Sequence, residues 1–440
     1  MTQSRLKALL TLGLPIMGAM MSQSLLNLVD AAMVGSLGEV ALAGVGFGSY
    51  VNFICVACLI GLSSGVQTLV ARRVGEGSVI SAPSPVMAGL WLAVLIALPV
   101  SLLLFLLGPV FIHWLNADTT VAEAATPYFQ ARVLGMFGVA LNFCFRGFWN
   151  GISQSMMYLR ALLIMHVLNV AISYCLIFGV AGFPAMGATG AGLGTTLSLY
   201  IGSGIYAWLC WRSRKDYNWQ LNWPGSRALR QIISLSWPHS VQQVLFALGV
   251  TVLFWIISLV GTHQLAVAHV LITLALFLIL PGVGLGMAAT SLVSQAIGRK
   301  AKEDAYQWGW DVVKVSAGIL ILLGAPFIIW PELILSIFLK SPEVIAMGVI
   351  PLQVTGVMMV IDATALVLSQ ALLGAGANKT VMTVNLSSQW LLFLPMAAII
   401  GPILGYGLVG IWCLQAFQRF INSLIYGWIW YQRKWQKIRL

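Results

Sequence analysis

Charge is what this sequence has least of. Asp, Glu, Lys and Arg make up 8% of its 440 residues, against roughly 25% in a soluble domain. With 60% hydrophobic residues, no water-facing surface can be assembled from the remainder. That excludes a soluble globular chain and makes lipid the main solvent. Length alone would suggest about three soluble domains, but a membrane bundle can absorb the whole chain. Acids are scarcer still, 12 against 23 basic residues, for a net charge of +11. The basic residues form no single patch, which argues against a nucleic-acid partner. They fall in short clusters between apolar runs, which is a topology signal.

Cysteine and histidine are equally thin. The six cysteines, at 55, 58, 144, 175, 210 and 413, all lie inside or at the edge of apolar runs. The stretch CVAC (55–58) has the form of a CxxC motif, but on a lipid-buried helix it reads as two small packing residues. No disulfide, metal or cofactor is expected. His113, His239 and His263 are scattered near helix ends without metal-ligand spacing, so a membrane enzyme has no centre to be built on. At the N-terminus, Arg5 and Lys7 precede an apolar run, as in a signal peptide. The run is too long and no A-x-A site closes it, so it reads as a retained first helix.

What is present is spanning helix. Apolar runs fall at about 11–35, 42–70, 85–108, 122–148, 156–179, 188–212, 231–259, 264–295, 307–330, 345–373, 380–401 and 405–431. Each is long enough for a hydrocarbon core of ~30 Å at ~1.5 Å per residue. The expected fold is an all-α integral membrane protein with twelve transmembrane helices. Both termini and the even-numbered connections hold Arg5, Lys7, Arg72, Arg73, Arg146, Arg160, Arg212, Arg214, Lys215, Arg227, Arg230, Arg299, Lys300, Lys302, Lys379, Arg433, Lys434, Lys437 and Arg439, whereas the odd-numbered ones hold only Lys340. Nineteen against one predicts that both termini are cytoplasmic.

The chain also repeats. Sliding it by 223 residues brings LLTLGLP (9–15) onto IISLSWP (232–238), Gly38 onto Gly261, Leu42-Ala43 onto Leu265-Ala266, Gly61 onto Gly284 and Gly75 onto Gly298. Gln130 then meets Gln353 and Gly151 meets Gly374; after a three-residue deletion MGATGA (186–191) meets YGLVGI (406–411). Six helices per half make the repeats parallel, related by a pseudo-two-fold axis along the membrane normal. The expected domains are an N-lobe at 1–211, a cytoplasmic linker at 212–230 and a C-lobe at 231–440. Two such lobes around a cavity suit alternating access by rocking. The 44 glycines, as in GVGFG (44–48) and PGVGLG (281–286), suit close helix packing. Pro15, Pro238 and Pro395 bend helices and free a carbonyl.

Only Asp30 and Asp362 read as deep intramembrane acids. Such a residue costs at least ~2.5–3.5 kcal/mol on insertion scales. Gln23, Asn27 and Asp30 share one face of helix 1, a face expected to point into the bundle. Helix 5 offers His166, Asn169, Ser173 and Tyr174, and Tyr128 at the outer start of helix 4 has comparable depth. A carboxyl poised between desolvation and hydrogen bonding can take a proton from one side and release it to the other. The bland reading is a structural acid locking helices 1 and 5 together. Asp362, near mid-membrane in helix 10, fits a second coupling acid, a substrate counter-ion or a partner for Arg419. A sodium site would want several oxygens at one point; Asp30, Asn169 and Ser173 supply a thin set, which favours a proton. The 17 Met, 17 Trp and 19 Phe suit a promiscuous pocket and interfacial belts, as in WIWYQRKW (428–435).

LGLP near the start, LVDAAMVGSLGEVALAGV (28–45), ARRVGEG (71–77), MGATGAGLGT (186–195) and the second-repeat VSQAIGRK (293–300) together resemble the multidrug and toxic compound extrusion (MATE) family, and within it the bacterial DinF-like branch more than the NorM-like one. The resemblance spans the whole chain. It implies a pump exporting amphipathic, often cationic drugs against inward H⁺ or Na⁺, without a cofactor, and it implies an essential acid at Asp30, a hydrogen-bonding asparagine at Asn169, a tyrosine at Tyr128 and a threonine at Thr195. Pro15 matches a proline where helix 1 bends on protonation. Two positions depart from the family pattern: Ser173 stands where many relatives have a second aspartate, and Phe246 where NorM-like members have a helix-7 glutamate. Asp362 matches an acid common in helix 10. The expected partners are small-molecule drugs and membrane lipid, and the chain is expected to act as a monomer. The rival transport reading, a lipid or oligosaccharide-lipid flippase, needs a basic groove for which Arg132 and Arg419 are the only candidates; a channel is a further rival.

Overall fold

The computed structural model describes residues 2–116, 118–220 and 222–438; Arg439 lies outside them. All regular structure among the described residues is helical. Twelve long helical segments follow one another among the described residues, with a short helix, Pro331–Ser336, between the ninth and tenth and a 3-10 turn, Lys434–Lys437, after the last: α1 (Gln3–Gly35), α2 (Glu39–Gly75), α3 (Val79–Leu115), α4 (Thr119–Leu134 and Met136–Gly151), α5 (Ser155–Phe178), α6 (Gly187–Arg212), α7 (Ser226–Ser258), α8 (Thr262–Gly298), α9 (Lys302–Ile329), α10 (Pro342–Ala375), α11 (Asn378–Ile403) and α12 (Gly407–Tyr431). Ten are long and apolar enough to cross a membrane, and the bent pair of α4 supplies an eleventh. The twelfth, α6, has 26 residues, with its apolarity diluted by glycine, serine and threonine. Several helices outrun the apolar runs, as α1 does by starting at Gln3.

The bend in α4 has an identifiable cause. Its two pieces meet at 42° around Gly135, whose N–H donates to the Arg132 carbonyl at 3.0 Å, one residue short of the α-helical partner. The Ala131 carbonyl so released accepts from Thr196 Oγ1 at 2.7 Å. Ser101 Oγ and Tyr200 Oη donate to the carbonyls of Val133 and Leu134 at 2.7 and 2.6 Å. Lipid supplies no hydrogen bonds, so a kink at this depth persists only where side chains take over the freed carbonyls.

Contacts divide the chain into two compact units whose boundaries differ from the expected lobes. One holds the stretch ending at Met17 together with the residues from Val241 on; the other is Gly18–Ser240. Each boundary falls three residues beyond a proline, Pro15 or Pro238, and the two boundaries are 223 residues apart. The first half of α1 therefore packs with the second repeat and the first half of α7 with the first. Within the expected linker the rings of Tyr217 and Trp219 pack edge-on against Phe148 at 5.4 and 4.8 Å. A repeat marks equivalent positions; it does not say which neighbours a helix half chooses.

The repeat-related glycines admit these crossing halves. In the Gly18–Ser240 unit, a Cβ on Gly61 would lie 2.0 Å from the Ser236 carbonyl oxygen of α7, and the Gly61 N–H donates to Ser240 Oγ at 3.2 Å. In the other unit, a Cβ on Gly284 would lie 2.9 Å from Met17 Cγ of α1. Gly61→Val is expected to lower stability by roughly 1–3 kcal/mol through overpacking, read as an earlier thermal unfolding transition in detergent. Gly46→Ala, with nothing within 4 Å of its Cβ, serves as the neutral control; equal transitions for both would contradict this account of the packing.

Candidate functional site

In the Gly18–Ser240 unit Asp30, Asn169 and Ser173 lie in the C-terminal halves of α1 and α5, and Tyr128 and Thr195 in the N-terminal halves of α4 and α6. Val34, one turn beyond Asp30, packs with Tyr128, Ile177 and Ala191. Glycine makes this approach possible: a Cβ on Gly192 would lie 3.0 Å from the Tyr128 carbonyl oxygen, and one on Gly194 2.3 Å from Ser173 Oγ. Both glycines belong to the MGATGAGLGT stretch.

The hydrogen bonds differ from the expected ring around the acid. Tyr128 Oη pairs with Ser49 Oγ at 2.8 Å. Ser173 Oγ donates to Asn169 Oδ1 at 3.2 Å, and Thr195 Oγ1 donates to the Ala191 carbonyl at 3.0 Å. Asn169 and Ser173 are fully buried. Asp30 Oδ1 is buried without a hydrogen-bond partner. Its electrostatic neighbour is Arg132, one turn beyond Tyr128 on α4, whose Nε is also buried and unpartnered. The site therefore brings a carboxylate and a guanidinium into each other's field without a bond between them.

The polar face of α1 is not packed inward as expected. Gln23 and Asn27 are exposed. Gln23 Oε1 pairs with His166 Nε2 at 3.2 Å and Gln23 Nε2 donates to Asn27 Oδ1 at 3.3 Å, a chain that stops one turn short of Asp30. Amides on the edge of open space satisfy each other or water, and need no packed core. Pro15 sits inside one continuous helix, Gln3–Gly35.

The second acid lies in the other unit, on the wall of a cavity of about 310 Å³. Asp362, 1% exposed, accepts from Arg419 Nη1 at 3.1 Å. Pairing with Arg419 is thus realised among the roles expected for it. Phe246 lines the same cavity, so the position where a glutamate was missed faces the same space as Asp362. Met358, Met359, Phe393 and Trp412 supply apolar wall. Amides supply much of the rest, with Gln415, Gln418 and Asn422 on α12 and Gln242 on α7. Asp362 Oδ1, Asn422 Oδ1 and Gln242 Oε1 are buried acceptors without a partner.

Sequence reasoning missed Ser49, the proximity of Arg132 to Asp30, and this amide lining. The lining had a signal. Gln415, Gln418, Arg419 and Asn422 recur at helical spacing on one face of α12, a polar stripe in an apolar segment. A local irregularity helps to present Gln389: residues Ser387–Phe393 of α11 form a π-helical stretch, common at functional sites. Gln389 Nε2 donates to the Phe246 carbonyl at 3.3 Å, and Gly249 leaves it room, since a Cβ there would lie 2.0 Å from that nitrogen. Among the described residues no group of three or more His, Cys, Asp or Glu could hold a metal ion.

Twelve helices in two repeats, with isolated acids held inside the spans, define a multi-pass membrane transporter. The chain belongs to the MatE family, whose model matches residues 15–175 and again 238–399, two matches that begin 223 residues apart. It is a family of transporters, not of enzymes. The probable multidrug resistance protein NorM of Thermotoga maritima is 26% identical over 443 residues, covering 98% of this chain and 93% of that protein. NorM of Pseudomonas aeruginosa is 28% identical over 425 residues, covering 92% and 85%. A solved structure described as the outward-facing conformation of a multidrug resistance MATE family transporter superposes with a TM-score of 0.90 at 20% identity, covering 98% of this chain and 97% of that one; a transporter of the MOP superfamily from Pyrococcus furiosus gives 0.89 at 21%, covering 97% and 95%. These two likenesses show the fold.

Removing one partner of a buried ion pair strands the other charge, at about 3–5 kcal/mol. Arg419→Met is expected to fall toward the lower end of that range, because the Arg419 side chain is 20% exposed. The double variant Asp362→Leu/Arg419→Met should unfold at a higher temperature than the single one. A double variant no more stable than Arg419→Met would show that the pair carries no such coupling.

Proposed function

We propose that the protein is a multidrug efflux antiporter of the bacterial inner membrane, with both termini cytoplasmic, which exports amphipathic, often cationic compounds in exchange for protons and acts as a monomer. The names of its relatives support multidrug export, and the amphipathic, often cationic character of the compounds is what the family resemblance implies. The observation that carries proton exchange is the unpartnered Oδ1 of Asp30 inside a membrane-spanning helix. A carboxylate oxygen without a donor is open to take up a proton and to give it back, and exchange requires both steps.

Protonation changes which bonds Asp30 can make. As a carboxylic acid it gains an O–H donor, and Asn169 and Tyr128 are the acceptors this reading assigns to it. The resulting shift of α1 about Pro15 would reshape the outer half of the Gly18–Ser240 unit, so that one charge biases one helix. Ser173, in place of a second acid, leaves too few anionic oxygens for a sodium cage, which wants several oxygen ligands at one point. Phe246, where NorM-like members have a helix-7 glutamate, supports placement in the DinF-like branch. In the other unit, the orphaned acceptors Asp362 Oδ1, Asn422 Oδ1 and Gln242 Oε1 suit a ligand that brings N–H donors, such as a protonated amine, while Met358, Met359 and Trp412 suit its apolar body.

Efflux from proteoliposomes under a proton gradient and, separately, a sodium gradient tests this reading. Wild type should respond to the proton gradient, and Asp30→Asn should lose at least about two orders of magnitude of that rate, the scale of removing an essential proton-transfer group. Sodium-driven efflux, or an Asp30→Asn protein that still follows pH, would move the coupling elsewhere.

A further inference from the structure

A second pocket lies where α1 and α9 begin, within one unit. Its volume is about 460 Å³, and Thr2, Arg5, Tyr306, Gln307, Trp310, Asp311 and Lys314 line it. Gln307, Trp310, Asp311 and Lys314 fall on one face of α9 by their spacing.

Arg5 takes up both neighbouring acids, Asp304 and Asp311, and neither pairs with the second cation of the pocket, Lys314. Arg5 donates from Nε to Asp311 Oδ2 at 2.7 Å and from Nη1 to Asp304, and it stacks over the Trp308 ring at 3.9 Å. Its Nη2 is buried without a partner, so one arm of a tightly held guanidinium is left over. Lys314 is exposed and has no ion-pair partner among the described residues. The acid one turn before it, Asp311, is already held by Arg5. Lys314 also opens the apolar run of α9 (VSAGILILLGAPFIIW, 315–330). Side chains on a helix lean toward its N-terminus, so the lysine stem reaches back past Asp311 toward the basic end of the helix. Tyr306 and Trp310 give the pocket the aromatic rings typical of the headgroup zone. Arg299, Lys300, Lys302, Arg433 and Lys434 lie at the same helix ends.

A left-over guanidinium arm, an unpaired ammonium and flanking aromatic rings at a membrane surface form a receptor for a phosphate that carries acyl chains. We propose that this pocket binds the headgroup phosphate of an anionic phospholipid of the basic, cytoplasmic-side leaflet, with Lys314 and Arg5 Nη2 as its donors. The proposal goes beyond the transport reading and does not rest on which ion drives it.

Native mass spectrometry of the full chain in detergent, titrated with phosphatidylglycerol, phosphatidylcholine or inorganic phosphate, tests it. Wild type should retain a first phosphatidylglycerol more tightly than phosphatidylcholine. Lys314→Gln should weaken that first adduct roughly fivefold, the effect of about one surface cation. Arg160→Gln, an exposed cation at the start of α5 in the other unit, should leave it unchanged. Both side chains are exposed, so neither variant threatens the fold. Equal retention of the two lipids, or equal phosphatidylglycerol binding by wild type and Lys314→Gln, would overturn the proposal. Displacement of phosphatidylglycerol by millimolar inorganic phosphate would overturn the lipid assignment in favour of a free-phosphate site.

Discussion

A hydrocarbon solvent offers no hydrogen bonds, and polar groups at the breaks and crossings of the spans are paired accordingly. At the bend of α4 the freed carbonyls are taken over by Thr196, Ser101 and Tyr200. Asp362 is paired with Arg419. Asn169 and Ser173, both buried, bond to each other. Several buried polar atoms nevertheless lack a partner, Asn52 Oδ1 and Ser316 Oγ among them, and two of them belong to acids. Each intramembrane carboxylate keeps one oxygen, Oδ1 of Asp30 and of Asp362, buried and without a partner. A fold that otherwise matches its helix breaks so closely tolerates an unmet acceptor most readily where something else supplies the donor for part of the time.

The repeat preserves scaffold and abandons chemistry. The 223-residue offset recurs in the two matches to the family model and in the two boundaries between packing units. Gly61 and Gly284 each make room for the half-helix that crosses from the other repeat. At the same offset, Asp30 corresponds to Leu253 and Asp362 to Val139. Leu253 is buried and lines the amide-rich cavity. Each unit thus carries its acid on a different element. The Asp30 unit has Arg132 nearby without a bond, whereas Asp362 has its arginine within hydrogen-bond distance. The first arrangement suits a group that must change state, and the second suits a fixed anion beside a pocket.

Much of this was legible in the sequence. Helix number and order, the repeat, and Asp30 as the acid of the first unit follow from apolar runs, offset and charge placement, which are one-dimensional signals. Partner choice is three-dimensional and was not legible. That Tyr128 would bond Ser49, 79 residues away, depends on how closely α2 and α4 approach, which Gly48 permits, its Cβ position lying 2.9 Å from Tyr128 Cδ1. That the halves of α1 and α7 would exchange units depends on packing across Pro15 and Pro238. The amide stripe Gln415, Gln418 and Asn422 could have been read from α12; attention to charges alone hid it.

Proton release on substrate binding tests the central claim most directly. If Asp30 protonation and substrate occupancy are linked, drug added to lightly buffered, detergent-solubilised protein must displace protons, because linkage is reciprocal. The account predicts release approaching about one proton per chain, the capacity of a single carboxyl group, with none from Asp30→Asn at full drug occupancy. Equal release from both proteins, or none from wild type, would contradict it.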